Sequence, residues 1–302
     1  MSCADAAATP GAHRRSVSAR RWRLGSAAAL MLISARGIGI ADAAQTARGM
    51  GATLHYAPNH NFDRDGVWRP AAAGFNLADI AEDRRLRDLP AGVKALIWVG
   101  LCNGADRKFI AKVAPYLHQH NVFGFYLMDD PDPRSGNAQC KAESLRAEAD
   151  WIHDHMPGAL TFIVLMNMSD AGRPSFQGTY NPSNSHVDLY GIDPYPCRSE
   201  LKGCSDAMIE RYVAAADAWG IPRTRMVPVY QAFGGGSWKD GDGGEYMLPT
   251  AAQLHAMFTR WHALIPAPDF DFAYSWGTQR GDHALEDEPE LRAVFSAFNA
   301  AR

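Results

Sequence analysis

The sequence predicts an α/β protein built as a single-domain (β/α)8 TIM barrel. Three observations carry that expectation. Apolar, strand-like runs alternate with amphipathic helical segments about eight times over roughly 250 residues, the count and size of such a barrel. No Gly-x-Gly-x-x-Gly and no phosphate-binding loop follows any strand, which disfavours an open doubly wound sheet. Polar residues gather just beyond the strands' carboxyl ends, where a barrel places its site.

Taken in order, residues 52–56 form the first strand and run into Pro58-Asn59-His60-Asn61. Residues 74–80 are a weaker second strand, placed because one is wanted before the next helix. Residues 93–101 are a strong third strand. Phe109, Ile110, Val113, Tyr116 and Leu117 at helical spacing predict a helix over 106–119, with Asn121 as its stop. The fourth strand starts at Val122 and breaks abruptly into Asp129, Asp130 and Asp132, while Pro131 and Pro133 forbid it from continuing. An alanine-rich helix over 138–156 ends at Pro157-Gly158, and a fifth strand over 160–166 ends at Asn167. The sixth strand, 187–192, opens onto Asp193-Pro194-Tyr195-Pro196. Ser205 is expected to cap a helix with Ile209, Tyr212, Val213, Ala216 and Trp219 inward and Gly220 past its end. Residues 226–233 are the seventh strand. Thr250 and Gln253 form a capping box, Thr-x-x-Gln, before a helix that buries Leu254, Met257, Phe258, Trp261 and Leu264. Residues 270–276 are the eighth strand, and a helix over 290–298 closes the chain.

The 302 residues, 47% hydrophobic and 21% charged, are enough for one large domain. Residues 1–43 read as a secretory signal peptide: Arg14, Arg15, Arg20, Arg21 and Arg23, a small apolar core over 24–34, then Ala41-Asp42-Ala43. The core is too short for a permanent membrane span. Arg20-Arg21 also permits a twin-arginine route, and Arg36 leaves open a basic leader that is never cleaved. Residues 44–302 are then the barrel, exported to the periplasm or the medium. Beyond the leader, 24 Lys and Arg stand against 31 Asp and Glu, a formal charge of −7 that argues against a nucleic-acid partner. Four cysteines remain there, an even number as an exported chain would have. Cys197 and Cys204 enclose one short loop and are paired. Cys102 and Cys140 follow the third and fourth strands and would tie neighbouring loops together. No Cys-x-x-Cys or clustered histidine suggests a metal, and no cofactor is expected.

The residues at the strand ends are carboxylates, amides and aromatics: His60, Asp129, Asp130, Asn167, Asp193, Tyr195, Gln231 and Trp276, with Tyr126 in the fourth strand and Trp238 in the glycine-rich loop. Acids and amides bind hydroxyl groups, and aromatic faces stack on sugar rings, so a carbohydrate is the partner this lining fits. Hydrolysis of an acetal needs two carboxyl groups, one protonated and one ionised. Asp130, beside a second acid that raises one of the two pKa values, is the candidate general acid, and Asp193 the second carboxylate. The competing readings are structural: turns at Asp-Asp-Pro and Asp-Pro, core packing for Trp276, and loop hydrogen bonding for His60. Asp240, Asp242 and Glu245 lack the full spacing of a calcium loop and read as a flexible turn.

These motifs resemble those of the TIM-barrel glycoside hydrolases exported by bacteria. Gly124-Phe-Tyr-Leu-Met-Asp-Asp130-Pro-Asp is similar to their Gly-Tyr-Tyr-x-x-Asp-Glu-Pro-Asp, with Asp130 at the acid position. Asp188-Leu-Tyr-Gly-Ile-Asp193-Pro-Tyr-Pro196 resembles their Asp-x-x-Gly-x-Asp-x-Tyr-Pro, and Tyr274-Ser-Trp276 their aromatic eighth strand. The resemblance implies hydrolysis of O-glycosidic bonds in a polysaccharide or oligosaccharide. The chain departs from it at three points. Gln231 stands where the large retaining clan has its nucleophilic Glu. Asp130 is one methylene shorter than the usual acid. Met128 stands where enzymes that use the substrate's acetamido group need an Asp. What these leave is an inverting scheme, with carboxyl groups about 6.5–9.5 Å apart, or a barrel that binds carbohydrate without catalysis.

Overall fold

The computed structural model describes residues 52–134, 140–239 and 243–301. The expected leader, residues 1–43, lies outside these, as do Asp240 and Asp242. Eight strands close a parallel barrel: β1 (Leu54–Tyr56), β2 (Leu77–Ile80), β3 (Lys94–Trp98), β4 (Val122–Met128), β5 (Leu160–Val164), β6 (Leu189–Ile192), β7 (Met226–Gln231) and β8 (Phe270–Tyr274). Each pairs with its neighbours in sequence, and β8 returns to β1 with Leu54 opposite Phe270 and Tyr56 opposite Phe272.

The strands read as continuous apolar runs because both of their faces are buried. Tyr56, Leu77, Leu96, Tyr126, Phe162, Val229, Phe270 and Phe272 fill the interior, while Ala95, Ile97, Phe125, Leu127, Ile163 and Tyr230 join the layer beneath the helices. Ring contacts bind the interior together: Tyr126 to Phe162 at 4.7 Å, Tyr56 to Phe272 at 4.8 Å and Phe162 to Phe270 at 4.9 Å between centroids. Gly124 is required where it stands, since a Cβ there would collide with the Leu160 carbonyl oxygen of the adjacent strand.

The helices are α1 (Asp83–Leu86), α2 (Arg107–Val113), α3 (Ala142–His155), α4 (Pro182–Ser185), α5 (Asp206–Ala218), α6 (Ala251–Leu264) and α7 (Pro289–Ala300). Asp106 caps α2 by accepting from the Phe109 amide at 2.9 Å, and the capping box of Thr250 and Gln253 is formed in both directions. Two local expectations are corrected. The helix predicted over 106–119 ends at Val113 and passes into a 3-10 turn, Ala114–Tyr116, because Pro115 has no amide hydrogen to continue the ladder. Ser205 occupies the cap of α5, but its side chain makes no capping bond; its amide instead donates to the Pro196 carbonyl at 3.0 Å.

Two disulfides, Cys102–Cys140 and Cys197–Cys204, join the cysteines as paired from the sequence. The second closes a small hairpin of Cys197–Arg198 against Gly203–Cys204. No described helix is long and apolar enough to cross a membrane.

Candidate active site

Alternation along the strands decides which side chains reach the mouth. Leu77 and Tyr126 point inward, and the residues that follow them in β2 and after β4 rise to the carboxyl-terminal rim. Asp129, Asp130 and Asp193 lie close enough there to feel one another's charge, while Asp79 of β2 contacts Tyr56. A cavity of about 350 Å³ opens beside them, and Asp130 and Asp193 both line it, together with Asn167, Tyr195, Arg198, Trp238 and Tyr246. Tyr195 packs edge-on against Phe233 at 5.0 Å and Tyr246 at 5.7 Å, and Trp238 lies over Phe233 at 4.8 Å, so the cavity has one aromatic wall.

The acids do not titrate alike. Burial, and then the neighbouring charge of Asp129, push Asp130 up to about 7. Burial and the charges of Asp130 and Asp129 drive Asp193 well above the usual range, while Arg198 pulls it back. Asp129 is raised by burial too, but the Tyr126 hydroxyl donates to its Oδ1 at 2.5 Å and favours the ionised form. The surfaces of Asp129 and Asp130 are exposed, yet both stand inside the mouth with protein atoms around them. That crowding costs them hydration without closing them to solvent, and the upward direction follows from it. Asp79, raised to about 6 by burial, accepts from Tyr56 and from the Asn59 amide.

Several predicted contacts lie elsewhere. Gln231 points into the barrel as its place in β7 requires, but it is 0% exposed. Its amide bridges backbone groups that roof it: the Cys197 N–H donates to Oε1 at 2.8 Å, and Nε2 donates to the carbonyls of Cys197, Met247 and Phe233 at 3.0–3.2 Å. It is a brace beneath two loops rather than a lining residue. Trp276 is 4% exposed and meets Phe75 edge-on at 6.3 Å, which is core packing. His60 is exposed, with Nδ1 3.6 Å from the Glu286 carboxylate, and lines a separate crevice with Phe62, Arg64 and Arg69. Asn167 does reach the cavity, but its amide is occupied by Ser169, Ser175 and the Tyr212 hydroxyl. Tyr126 sits below the mouth and touches Asp129 rather than the cavity.

Sequence reasoning missed Asp79, Arg198 and Tyr246. An acid two residues after an inward leucine in an apolar strand was the available signal for Asp79. Tyr246 and Arg198 reach the cavity through an isolated pairing of the hairpin with the loop after β7, and no local pattern announces it. Among the described residues no group of three or more His, Cys, Asp or Glu is placed to hold a metal.

Fold and rim together define the class: a closed parallel (β/α)8 barrel with a cluster of carboxylates and aromatics at the carboxyl ends of its strands. No family model matches the chain, and no curated protein matches it. Solved glycoside-hydrolase barrels do. A chitinase from Bacteroides thetaiotaomicron superposes with a TM-score of 0.54 at 8% identity, over 83% of this chain and 98% of that one. The GH18 chitinase ChiB of Flavobacterium johnsoniae gives 0.53 at 11%, over 83% and 94%. A GH18 chitinase from Cycas revoluta in complex with (GlcNAc)3 gives 0.52 at 11%, over 76% and 93%. At such identities the likeness is one of fold.

Proposed function

We propose that this protein is an exported glycoside-hydrolase-like barrel that hydrolyses O-glycosidic bonds of a polysaccharide or oligosaccharide. The observation that carries the reading is the convergence of Asp130 and Asp193 on one aromatic-walled cavity at the carboxyl-terminal face. Asp130, which keeps its proton to about pH 7, is the general acid that protonates the leaving oxygen. Asp193 is the second carboxylate, and the Arg198 guanidinium favours its ionised form. The charges of Asp130 and Asp129 act on Asp193 as well, so the state of each acid affects the next. Tyr195 and Trp238 give the sugar ring faces to stack on. Export is supported by the two disulfides, which persist in oxidising compartments.

A second reading is a carbohydrate-binding barrel without catalysis. The engagement of Gln231 by backbone favours it, because no carboxylate or free amide stands at the end of β7. A glycan-panel hydrolysis screen with Asp130→Asn as control separates the two. Release of reducing ends by the native protein and not by the variant supports the enzyme. Binding with no release supports the second reading, and release that survives the substitution rejects Asp130 as the acid.

A further inference from the structure

A second cavity, of about 930 Å³, lies between the loops that follow β1 and β8 and the start of α7. Three guanidiniums line it, those of Arg64, Arg69 and Arg292, together with the carboxylates of Asp63 and Glu286 and the ring of Trp276. The carboxylates are committed to the loops that carry them. Asp63 Oδ1 accepts from the amides of Asp65 at 3.0 Å and Val67 at 2.9 Å, and Glu286 Oε1 accepts from the amide and hydroxyl of Thr278 at 2.6 and 3.0 Å. The guanidiniums are less occupied. Arg64 has no hydrogen bond or ion pair among the described residues, and Arg69 reaches Asp63 only at 3.9 Å. Arg292 donates to the carbonyls of Leu285 and Glu286 at 2.7 and 2.6 Å, which fix its position without neutralising it. Three cations against two anions leave the recess positive. A guanidinium fork matches the paired oxygens of an oxyanion, so a recess that gathers three of them selects an anionic group.

The recess continues from the candidate active site. Tyr274, the last residue of β8, packs against Tyr195 at 5.8 Å and Trp238 at 5.9 Å on the cavity side, and Trp276, two residues on, lines the recess. The loop that follows places the Arg280 guanidinium over Trp238 at 5.0 Å, a further cation on the same route. A glycan seated on the aromatic wall therefore meets the recess at the next position around the rim, since β8 and β1 are neighbours. Asp130 and Asp193 line the cavity itself, so a second anion is unwelcome there and the acidic group falls outside it. A nucleic acid, charged at every step, would be repelled both by those acids and by the formal charge of −7 that residues 44–302 carry.

We propose that the recess between the β1 and β8 loops is an anion subsite. The glycan this protein takes is mixed: a neutral residue occupies the cavity, and an acidic residue bearing a carboxylate or a sulfate docks on Arg64, Arg69 and Arg292. This rests on the glycan-hydrolase reading and narrows its substrate class.

The test is calorimetric titration of the full chain with oligosaccharides that carry one acidic group. The probes are a xylo-oligosaccharide with a single glucuronosyl branch, a mixed glucose, glucuronate and rhamnose oligosaccharide, and a galacto-oligosaccharide with a single sulfate. Each is paired with its carboxyl-reduced or desulfated form, so that the first two report a carboxylate and the third a sulfate. The expected result is about tenfold tighter binding of the acidic form in at least one pair, the size a charge-assisted contact supplies. The ratio should shrink as salt is raised from about 0.1 M to about 1 M, where the screening length falls from about 10 Å to about 3 Å. The double variant Arg64→Gln, Arg69→Gln should remove the preference and leave the affinity for the neutral forms unchanged, with an intact fold checked by circular dichroism. Equal affinity for both forms in every pair, or a preference that survives the double substitution, overturns the subsite and leaves the glycan reading standing. Tighter binding of a short oligothymidylate than of any sugar acid also overturns the subsite. Binding of no sugar, acidic or neutral, overturns both readings.

Discussion

The Tyr126 hydroxyl donates to Asp129 Oδ1 at 2.5 Å, joining the packed interior of the barrel to the acids at its mouth. The bond favours the ionised form of Asp129 against the burial that raises it, and Asp129 in turn is the charge that helps hold the proton on Asp130. Tyr126→Phe should therefore let Asp129 keep its proton to higher pH and relieve Asp130 of part of its negative neighbour. The alkaline limb of the pH–rate profile is expected to move to lower pH with KM little changed, alongside a stability loss of about 1 kcal/mol. An unmoved limb would dissociate Tyr126 from the acid.

In the native protein that alkaline limb should fall at about pH 7, where Asp130 gives up its proton. Above it kcat/KM declines about tenfold per pH unit, as loss of a single proton requires. Asp129→Asn removes a negative charge, lowers Asp130 and shifts the limb acidward. A shift toward alkaline pH would contradict this electrostatic account.

Replacing the acids themselves separates chemistry from binding. Asp130→Asn and Asp193→Asn are each expected to cut hydrolysis by about 10²–10⁴-fold, the range removed with a general acid or base, while glycan affinity measured by titration changes far less. Matched losses of affinity and rate would assign these residues to binding alone.

Gln231 should matter for stability. Gln231→Ala leaves the Cys197 N–H and the Phe233 and Met247 carbonyls without their partner, while the Cys197 carbonyl keeps the Met247 N–H, and is expected to cost about 2–4 kcal/mol in denaturant unfolding. Gln231→Glu, which restores the residue of the retaining clan, buries a carboxylate against carbonyl oxygens. It should destabilise as well and confer no retaining activity; a retained-configuration product seen by NMR would refute the bracing role.

Away from the mouth, Glu148 on α3 is 0% exposed, and its Oε1 accepts from the Asn103 amide at 3.0 Å. Burial raises it to about 8, above the 4.5 of a free glutamate. The folded state thus binds a proton more tightly than the unfolded chain. Stability from this group is fully present below about pH 4.5 and is lost as pH rises through about 8. Glu148→Gln should flatten that decline, gaining on the native protein at pH 9 and matching it at pH 5 in thermal melts. Parallel curves for the two proteins would exclude the effect.

The barrel was legible because its signals are local. Strands buried on both faces must be apolar throughout, and the amphipathic helices between them repeat at 3.6 residues, so all eight strands lie within the ranges expected for them. The strand ends were read too long, as at 226–233 and 270–276, since apolar side chains continue into the loops after backbone pairing has stopped. Asp130, Asp193 and Tyr195 were legible as rim residues because each follows a strand directly. Gln231 and Trp276 follow strands just as closely, yet loops fold over the one and Phe75 packs against the other. Position after a strand places a residue at the rim but says nothing of what covers it.

By itself the sequence determined the period of the chain, the pairing of its cysteines and the run of β4 into acids, because each depends on residues close together or on simple alternation. Only the tertiary structure decided which acids share a cavity, that Tyr126 holds Asp129, and that Arg198 and Tyr246 belong to the same mouth. Those relations join strands and loops far apart in the chain. Their energies depend on burial and on distance through space, quantities that exist only once the barrel has closed.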